Sequence, residues 1–591
     1  VAALIAALAV TAPVAAGPGS DVDPGLQRRL DRIADTAHPD RGTARTSPDV
    51  PVELLVDGDD TAVRREVRAA GGRITGSLPD AVVQAVVPAD VVDALAALPE
   101  VTEARLPRRV NRPEPEPEPD AIVDPPGERT ESFGAVTGQA PLATRAEAWF
   151  GAGYRGGGVK VGVIDFFDLR RWNESEHGPL PIPGVTMFCR DTDQFVTSYC
   201  SGPNTINSAQ GEAHGVAVVE IVKDMAPDAQ VFIATVSTVS DVVAAIDWMA
   251  ASGVRIITRS LGAAYDGPGD GTGELADVVD YAASRGMVMF NSAGNDAAGK
   301  YTWVDVPSSL GPNALVTFRN GSTELPVTGL TSGCAWLDGV RWSTQSWSSP
   351  GGLWGGVRAN FQLEVSSAQG GPVLDLFAAP LPYTGTGSSG RNLAAADAFP
   401  CSDRATTLRL RIRKLTAATS GPAQRLEVGL TFGTFADGRD WRADGSAAKP
   451  VVDSRNPLLL AVGAVDPPFG VQIAGYSSRG PTNDGRVKPD IAAPAGVYSS
   501  IYSPSCFSGT SAASPAAAGM AAVLLGAQPG LSPAALAAQM RGNVLDLGAP
   551  GTDNAFGAGL IRLPPPPGIG SPAAVAGAVA SSRAVRLRAG C

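Results

Sequence analysis

At 591 residues the chain exceeds one ordinary domain and predicts about three or four. Its 44% hydrophobic and 18% charged content describe a globular chain rather than a disordered one, and 69 Gly and 49 Pro mark many turns. A formal net charge of −12 argues against nucleic acid or an anionic membrane as the main partner.

The first run, "VAALIAALAVTAPVAAG", ends in a small-x-small pattern at Val14-Ala15-Ala16 and reads as the apolar core of a secretory signal over residues 1–16, lacking its Met and basic start. It is too short to span a membrane, and no later stretch holds about 18 uninterrupted apolar residues. The expected location is secreted or extracytoplasmic. Six cysteines fit export. Cys189 and Cys200 are close enough to close a short loop, Cys334 and Cys401 form a plausible second pair, and Cys506 and Cys591 are left by arithmetic alone.

After a linker (17–49), residues 50–106 read strand-helix-strand-strand-helix-strand, the order of a small split βαβ sandwich. The run "RRVNRPEPEPEPD" then marks an extended Pro/Glu-rich linker over 107–140. A folded unit followed by an exposed tether suits a removable segment, or equally an accessory domain. From 141 to 300 apolar strands ("VKVGVID", "QVFIATV", "VRIITRSLG", "GMVMFNSAGN") alternate with helical patterns. The fold class is therefore α/β, a parallel sheet with helices on both faces. Ligands gather at the carboxyl ends of such strands, which here carry Asp165, Ser260 and Asn295. Residues 301–449 switch to period-two alternation ("TLRLRIR", "RLEVGLTF") and predict an inserted antiparallel, sandwich-like β-domain. The α/β texture resumes over 450–565, and 566–591 form an Ala-rich tail.

Ser511 sits at the mouth of the helix in "SGTSAASPAAAG", where unpaired N–H groups and a partial positive charge suit a developing anion, although an N-cap serine would look the same. Only three histidines, His38, His177 and His214, are available as a base near neutral pH. His214 opens an apolar helix beside Gly215, and Asp165 ends a buried strand, where a carboxylate needs a donor such as an imidazole.

Taken in order, "GVKVGVID", "HGVAVVEIV", "RSLG", "NSAGN", "AGYSSRGPT" and "SGTSAASPAAAG" resemble the subtilisin-like serine peptidases, the subtilases, over roughly 151–299 and 451–562. The resemblance implies a secreted serine endopeptidase acting on peptide or protein substrates through an acyl-enzyme. Ser511 would be its nucleophile, His214 its base, Asp165 the orienting acid and Asn295 an oxyanion donor. Ser260-Leu261-Gly262 and Ala293-Gly294 would form substrate-binding strands or pocket walls. Residues 50–106 resemble the family's pro-domain, an intramolecular inhibitor, with cleavage expected between about Pro107 and Asp120.

The chain departs from the family in three places. Phe166-Phe167 follow the Asp, Val216 replaces the usual Thr after His-Gly, and the short spacing from His214 to "MAPDAQV" leaves no room for the loop that often holds calcium. No metal ligands and no cofactor are carried over. The run "DGPGDGTGELAD" (266–277) lacks a full calcium-loop pattern and reads as a solvated loop. Two rivals stay open. A sedolisin-like acid peptidase shares Gly-Thr-Ser but uses a Glu base and an Asp oxyanion donor, against which His214 and Asn295 stand. A non-catalytic subtilase-like protein would use its inserted β-domain to bind surface protein or glycan.

Overall fold

The computed structural model describes residues 22–36, 47–109, 139–172, 187–190, 200–202, 205–206, 213–331, 333–343, 361–367, 393–394, 406–415, 417, 423–466, 470–503 and 505–567. The signal-like run, the Pro/Glu repeat, His38, His177 and the tail after 567 lie outside them. The chain divides into a unit ending at Arg108 and a unit starting at Arg109.

The first unit contains helix α1 (Pro24–Thr36), β1 (Asp49–Val56), α2 (Thr61–Ala69), β2 (Arg73–Leu78), β3 (Val82–Pro88), α3 (Val92–Ala96) and β4 (Val101–Arg105). The sheet order β2-β3-β1-β4 is antiparallel throughout, the split βαβ arrangement that the pattern predicts. Leu26, Val52, Leu54, Val63, Val67 and Leu95 fill its core. Buried Glu53 is ion-paired with Arg105 at 3.0 Å across β1 and β4.

The second unit is built on β5 (Lys160–Ile164), β6 (Met187–Arg190), helix α4 (His214–Met225), β7 (Gln230–Val236), α5 (Val239–Ala251), β8 (Ile256–Arg259), α6 (Glu274–Ser284) and β9 (Val288–Ser292). An inserted domain follows. The chain then returns through β18 (Leu459–Val465), β19 (Ile491–Pro494), α7 (Thr510–Ala527), α8 (Pro533–Gly542), β20 (Val544–Leu545) and β21 (Leu560–Ile561). Its nine-stranded sheet has the order β20-β21-β19-β18-β9-β8-β5-β7-β6, parallel except for the β20–β21 pair. The inner strands are buried on both faces and mostly apolar, with polar residues such as Thr235, Arg259 and Asn291 gathered towards their carboxyl ends. Helix α7 packs against β8, β9, β18, β19 and α4. It is the one described helix apolar and long enough to cross a membrane by composition, and its residues are buried in this core instead.

The insert comprises β10 (Tyr301–Val306), β11 (Leu325–Thr328), β12 (Trp336–Ser343), β13 (Phe361–Ser366), β14 (Leu393–Ala394), β15 (Leu408–Lys414), β16 (Gln424–Phe432) and β17 (Thr434–Phe435). Two antiparallel sheets, β10-β16-β12-β14 and β13-β15-β11-β17, share one core that includes Leu337, Trp342, Phe361, Leu410 and Leu426. In β15 Leu408, Leu410 and Ile412 face inward while Arg409, Arg411 and Arg413 alternate with them, as the period-two pattern requires.

The Cys189–Cys200 disulfide is present. Cys334 is also disulfide-bonded, while its expected partner Cys401 and the terminal Cys591 lie outside the described residues.

One expectation is overturned. The run 266–277 is not solvated: Asp266 and Asp270 are 5% and 3% exposed. Asp266 accepts the N–H of Leu275, and Asn483 donates to the carbonyl of Pro268 and, through its backbone, to that of Gly269. From the sandwich, the guanidinium of Arg341 reaches the carbonyl of Gly267. Partners distant in sequence bury a stretch whose local composition says loop.

Candidate active site

Strand register brings the candidate residues together. Ile164 of β5 pairs with Arg259 of β8, which pairs with Asn291 of β9, so Asp165, Ser260 and Ser292 follow at the carboxyl ends of three adjacent strands. Ala293, Gly294 and Asn295 continue from the third strand. Strand order reverses between β5 and β8, with β7 and β6 on one side and β8, β9 and β18 on the other, the crevice where open α/β sheets collect ligands.

Asp165 Oδ1 lies 2.7 Å from His214 Nδ1, with the side chains 0% and 3% exposed. The same oxygen accepts the Phe166 N–H at 2.8 Å, and Asp165 Oδ2 has no hydrogen-bond partner. The backbone is held as well: Thr235 Oγ1 donates to the Asp165 carbonyl, and Gly215 N–H donates to that of Phe166 at 2.9 Å. Gly215 is required by this approach, since a Cβ there would fall 2.6 Å from the Phe166 oxygen. Phe167 is fully buried and meets Trp172 edge-on at 6.1 Å. Val216, where the family has Thr, is buried in the same core. Phe507 meets the His214 ring edge-on at 5.6 Å and stacks on Tyr502 at 4.8 Å, so the imidazole sits in an apolar frame.

Ser511 is not an N-cap. Helix α7 starts at Thr510, its N-cap is Gly509 at φ 83°, and no side chain caps it. The Gly509 N–H donates instead to the Tyr476 hydroxyl, which donates to Asp466. Ser511 is the second helical residue and fully buried. Pro515, four residues on, cannot supply the N–H that would close the helical bond to the Ser511 carbonyl. Ser260 Oγ takes that place at 3.0 Å, and Ser511 Oγ donates back to the Ser260 carbonyl at a loose 3.4 Å. Thr258 and Ser514 add a hydroxyl contact at 3.0 Å one turn further along.

Asn295 is turned by the same helix start. Its Oδ1 accepts from the Thr510 N–H at 2.9 Å and from Thr510 Oγ1 at 3.0 Å, while Gly294 N–H donates to Thr510 Oγ1 at 3.1 Å. With the carboxamide oxygen occupied, Asn295 Nδ2 remains a buried donor with no partner. Beside the 260–262 segment, buried Arg259 donates to the carbonyls of Leu261 (2.6 Å) and Gly262 (3.1 Å) and to Asn291 Oδ1 (2.9 Å). Thr510 and Arg259 were not singled out from the sequence. A charge inside the apolar run "VRIITRSLG" was the available signal for the second.

The pattern described as the subtilase family matches residues 198–333 and 440–559. The first block contains His214, Ser260 and Asn295, the second contains Ser511, and Asp165 lies before both. The interval 334–439 falls in the sandwich. Subtilisin E of Bacillus subtilis (strain 168) is 28% identical over 188 residues, covering 30% of this chain and 46% of that protein. Subtilisin NAT of Bacillus subtilis subsp. natto gives the same figures. The chain thus spans about half the length of these relatives, at 46%. Among solved structures, the CspB protease of Clostridium perfringens aligns at 15% identity over 75% of this chain and 100% of that one, with a TM-score of 0.45. Fervidolysin from Fervidobacterium pennivorans, a keratinolytic enzyme related to subtilisin, aligns at 15% over 88% and 61%, with a TM-score of 0.44. The fold class is an α/β sheet. Over the two matched blocks the chain is similar to the subtilase family.

Proposed function

We propose that the chain is a secreted serine endopeptidase made as a self-processing zymogen. Ser511 attacks the scissile carbonyl, and His214 takes the hydroxyl proton on Nε2 and returns it to the leaving amine. Asp165, bonded to Nδ1, fixes the tautomer and stabilises the imidazolium. The oxyanion takes donors from Asn295 Nδ2 and the Ser511 N–H, the latter unclaimed because it lies in the first turn of a helix. Backbone along Ser260-Leu261-Gly262 and Ala293-Gly294 holds the acyl side of the peptide. Residues 50–106 act as an intramolecular inhibitor released by cleavage between about Pro107 and Asp120. No metal or cofactor takes part in these steps.

The observation that carries the reading is the orientation of Asn295: both carboxamide-oxygen contacts go to the residue before Ser511, leaving a buried N–H₂ unbonded beside the nucleophile's helix start. The test follows the intact mass of the chain and of its Ser511→Ala variant over time. Shedding of an N-terminal piece ending near the Pro/Glu run by the wild type alone supports the reading. Equal shedding by both contradicts it.

A further inference from the structure

The chain enters the inserted sandwich at Tyr301, shortly after Asn295, and the 301–449 segment ends at Lys449, which contacts one carboxylate before that entry and one inside the sandwich. Its Nζ lies 2.6 Å from Asp296 Oδ2 and 3.9 Å from Asp338 Oδ2, the latter on β12 inside the sandwich. The three side chains are 5–8% exposed. Asp296 is further tied to the catalytic sheet: its N–H donates to Ser478 Oγ at 3.1 Å, Ser478 Oγ donates to its Oδ2 at 3.0 Å, and Ser478 N–H donates to the Gly294 carbonyl at 2.8 Å. Asp338 is anchored by Thr431 Oγ1 at 2.5 Å and accepts the Tyr265 N–H on its carbonyl. Next to Lys449, the Ala448 carbonyl accepts from Arg341, whose guanidinium is paired with Glu427 and lies 4.1 Å over the Tyr265 ring.

Asn295 is therefore held from two sides. Thr510 fixes its carboxamide oxygen from the nucleophile's helix, and the Asp296–Lys449 pair fixes the backbone that follows it. Loss of the ammonium removes the cation that faces Asp296 and Asp338 in a low-dielectric site, which favours rearrangement there. Asp296 is the residue next to Asn295, so a shift of its backbone reaches the oxyanion donor.

We infer that Lys449 is a positioning residue for the oxyanion donor and that, through its grip on Asp338, the inserted sandwich is a structural part of the catalytic apparatus. This rests on the proposed role of Asn295. The sandwich then does more than any module tethered beside the enzyme: its β12 strand sets where the 293–296 loop stops.

The test measures kcat, KM and the rate of fluorophosphonate labelling of Ser511 for the full chain. The variants are Lys449→Met, Lys449→Arg, Asn295→Ala and Lys449→Met/Asn295→Ala. Lys449→Met is expected to lower kcat roughly 10- to 100-fold with KM changed less than about threefold, the scale of a small misplacement of a reacting group. Lys449→Arg should restore most of the loss. In the Asn295→Ala background the lysine substitution should cost less than about twofold, because the group it positions is gone. Losses that multiply across the two sites, or unchanged kcat in Lys449→Met, overturn the inference. Should Lys449→Met not fold, Asp338→Asn replaces it and is expected to lower kcat a few-fold with the same dependence on Asn295. Wild-type kcat in that variant overturns the role of the sandwich. A wild type that neither hydrolyses peptide nor labels removes the peptidase reading itself and this inference with it.

Discussion

Asp165 and Glu427 are both buried carboxylates, 1% and 2% exposed, each beside a nitrogen base of another element. Around Glu427 both oxygens are filled: Arg341 donates to Oε2 through Nε (2.6 Å) and Nη2 (2.5 Å), and Asn483 Nδ2 donates to Oε1 at 2.6 Å. Around Asp165 one oxygen takes both His214 and the Phe166 N–H while the other takes nothing. The same contrast separates Asn483, whose amide donates twice, from Asn295, whose amide donates to nothing. The cluster between sandwich and sheet is bonded to fix two parts of the chain to each other. The cluster at the strand ends leaves Asp165 Oδ2 and Asn295 Nδ2 without partners, as the proposed catalytic role requires. Polar saturation separates Asp165 from Glu427 where burial does not.

The contrast breaks most sharply at Asp165. Asp165→Asn preserves volume and one acceptor but favours the wrong histidine tautomer, so kcat should fall about 10⁴-fold with the melting temperature nearly unchanged. Peptide hydrolysis at the wild-type rate would place Asp165 with Glu427 among the structural carboxylates. Asn295→Ala comes next. The loss expected for one oxyanion donor is ~10²–10³ in kcat with little change in KM, a scale that comes from a subtilisin rather than from this geometry. A large rise in KM alone would make Asn295 a substrate-binding group instead.

The smallest effect concerns stability. Burial, then the neighbouring Asp266 carboxylate, pushes Asp453 up to about 7 from an ordinary value near 3.8, against opposing pulls from the Gly271 N–H, Arg341 and Arg486. The native state therefore holds a proton that the unfolded chain releases. The resulting stabilisation is full below the unfolded value and is lost as pH rises through the folded one. Asp453→Asn keeps an acceptor for Gly271 without the titration, so its melting temperature should exceed the wild type's by a few degrees at pH 8 and by less at pH 5. An equal gap at both values would remove the titration from the account.

Much of the fold was legible because long-range structure leaves a local trace in it. Fully covered parallel strands such as Val161–Ile164 and Val231–Val236 are largely apolar, and the sandwich strand at Leu408–Lys414 must alternate. The candidate site was legible because the motifs around His214 and Ser511 combine small residues with a base and a hydroxyl at fixed places. What stayed hidden depends on partners remote in sequence. Gly and Asp in 266–277 look like a solvated turn until Asn483 and Arg341 close over them. The sequence left an N-cap as the alternative for Ser511, and Gly509, at positive φ, occupies the cap position instead. Pro515 did carry a readable hint: four residues after Ser511 it frees a carbonyl, and Ser260 answers it. Lys449 carries no local sign at all, because its meaning comes from two carboxylates 153 and 111 residues earlier in the chain.

The central claim, that Ser511 is an activated nucleophile, is met most directly by fluorophosphonate labelling of the full chain with peptide mapping, beside Ser511→Ala and Asp165→Asn. The account predicts one adduct in the wild type, mapped to Ser511, absent in Ser511→Ala and formed far more slowly in Asp165→Asn. An unlabelled wild type, or an adduct that persists in Ser511→Ala, would contradict it.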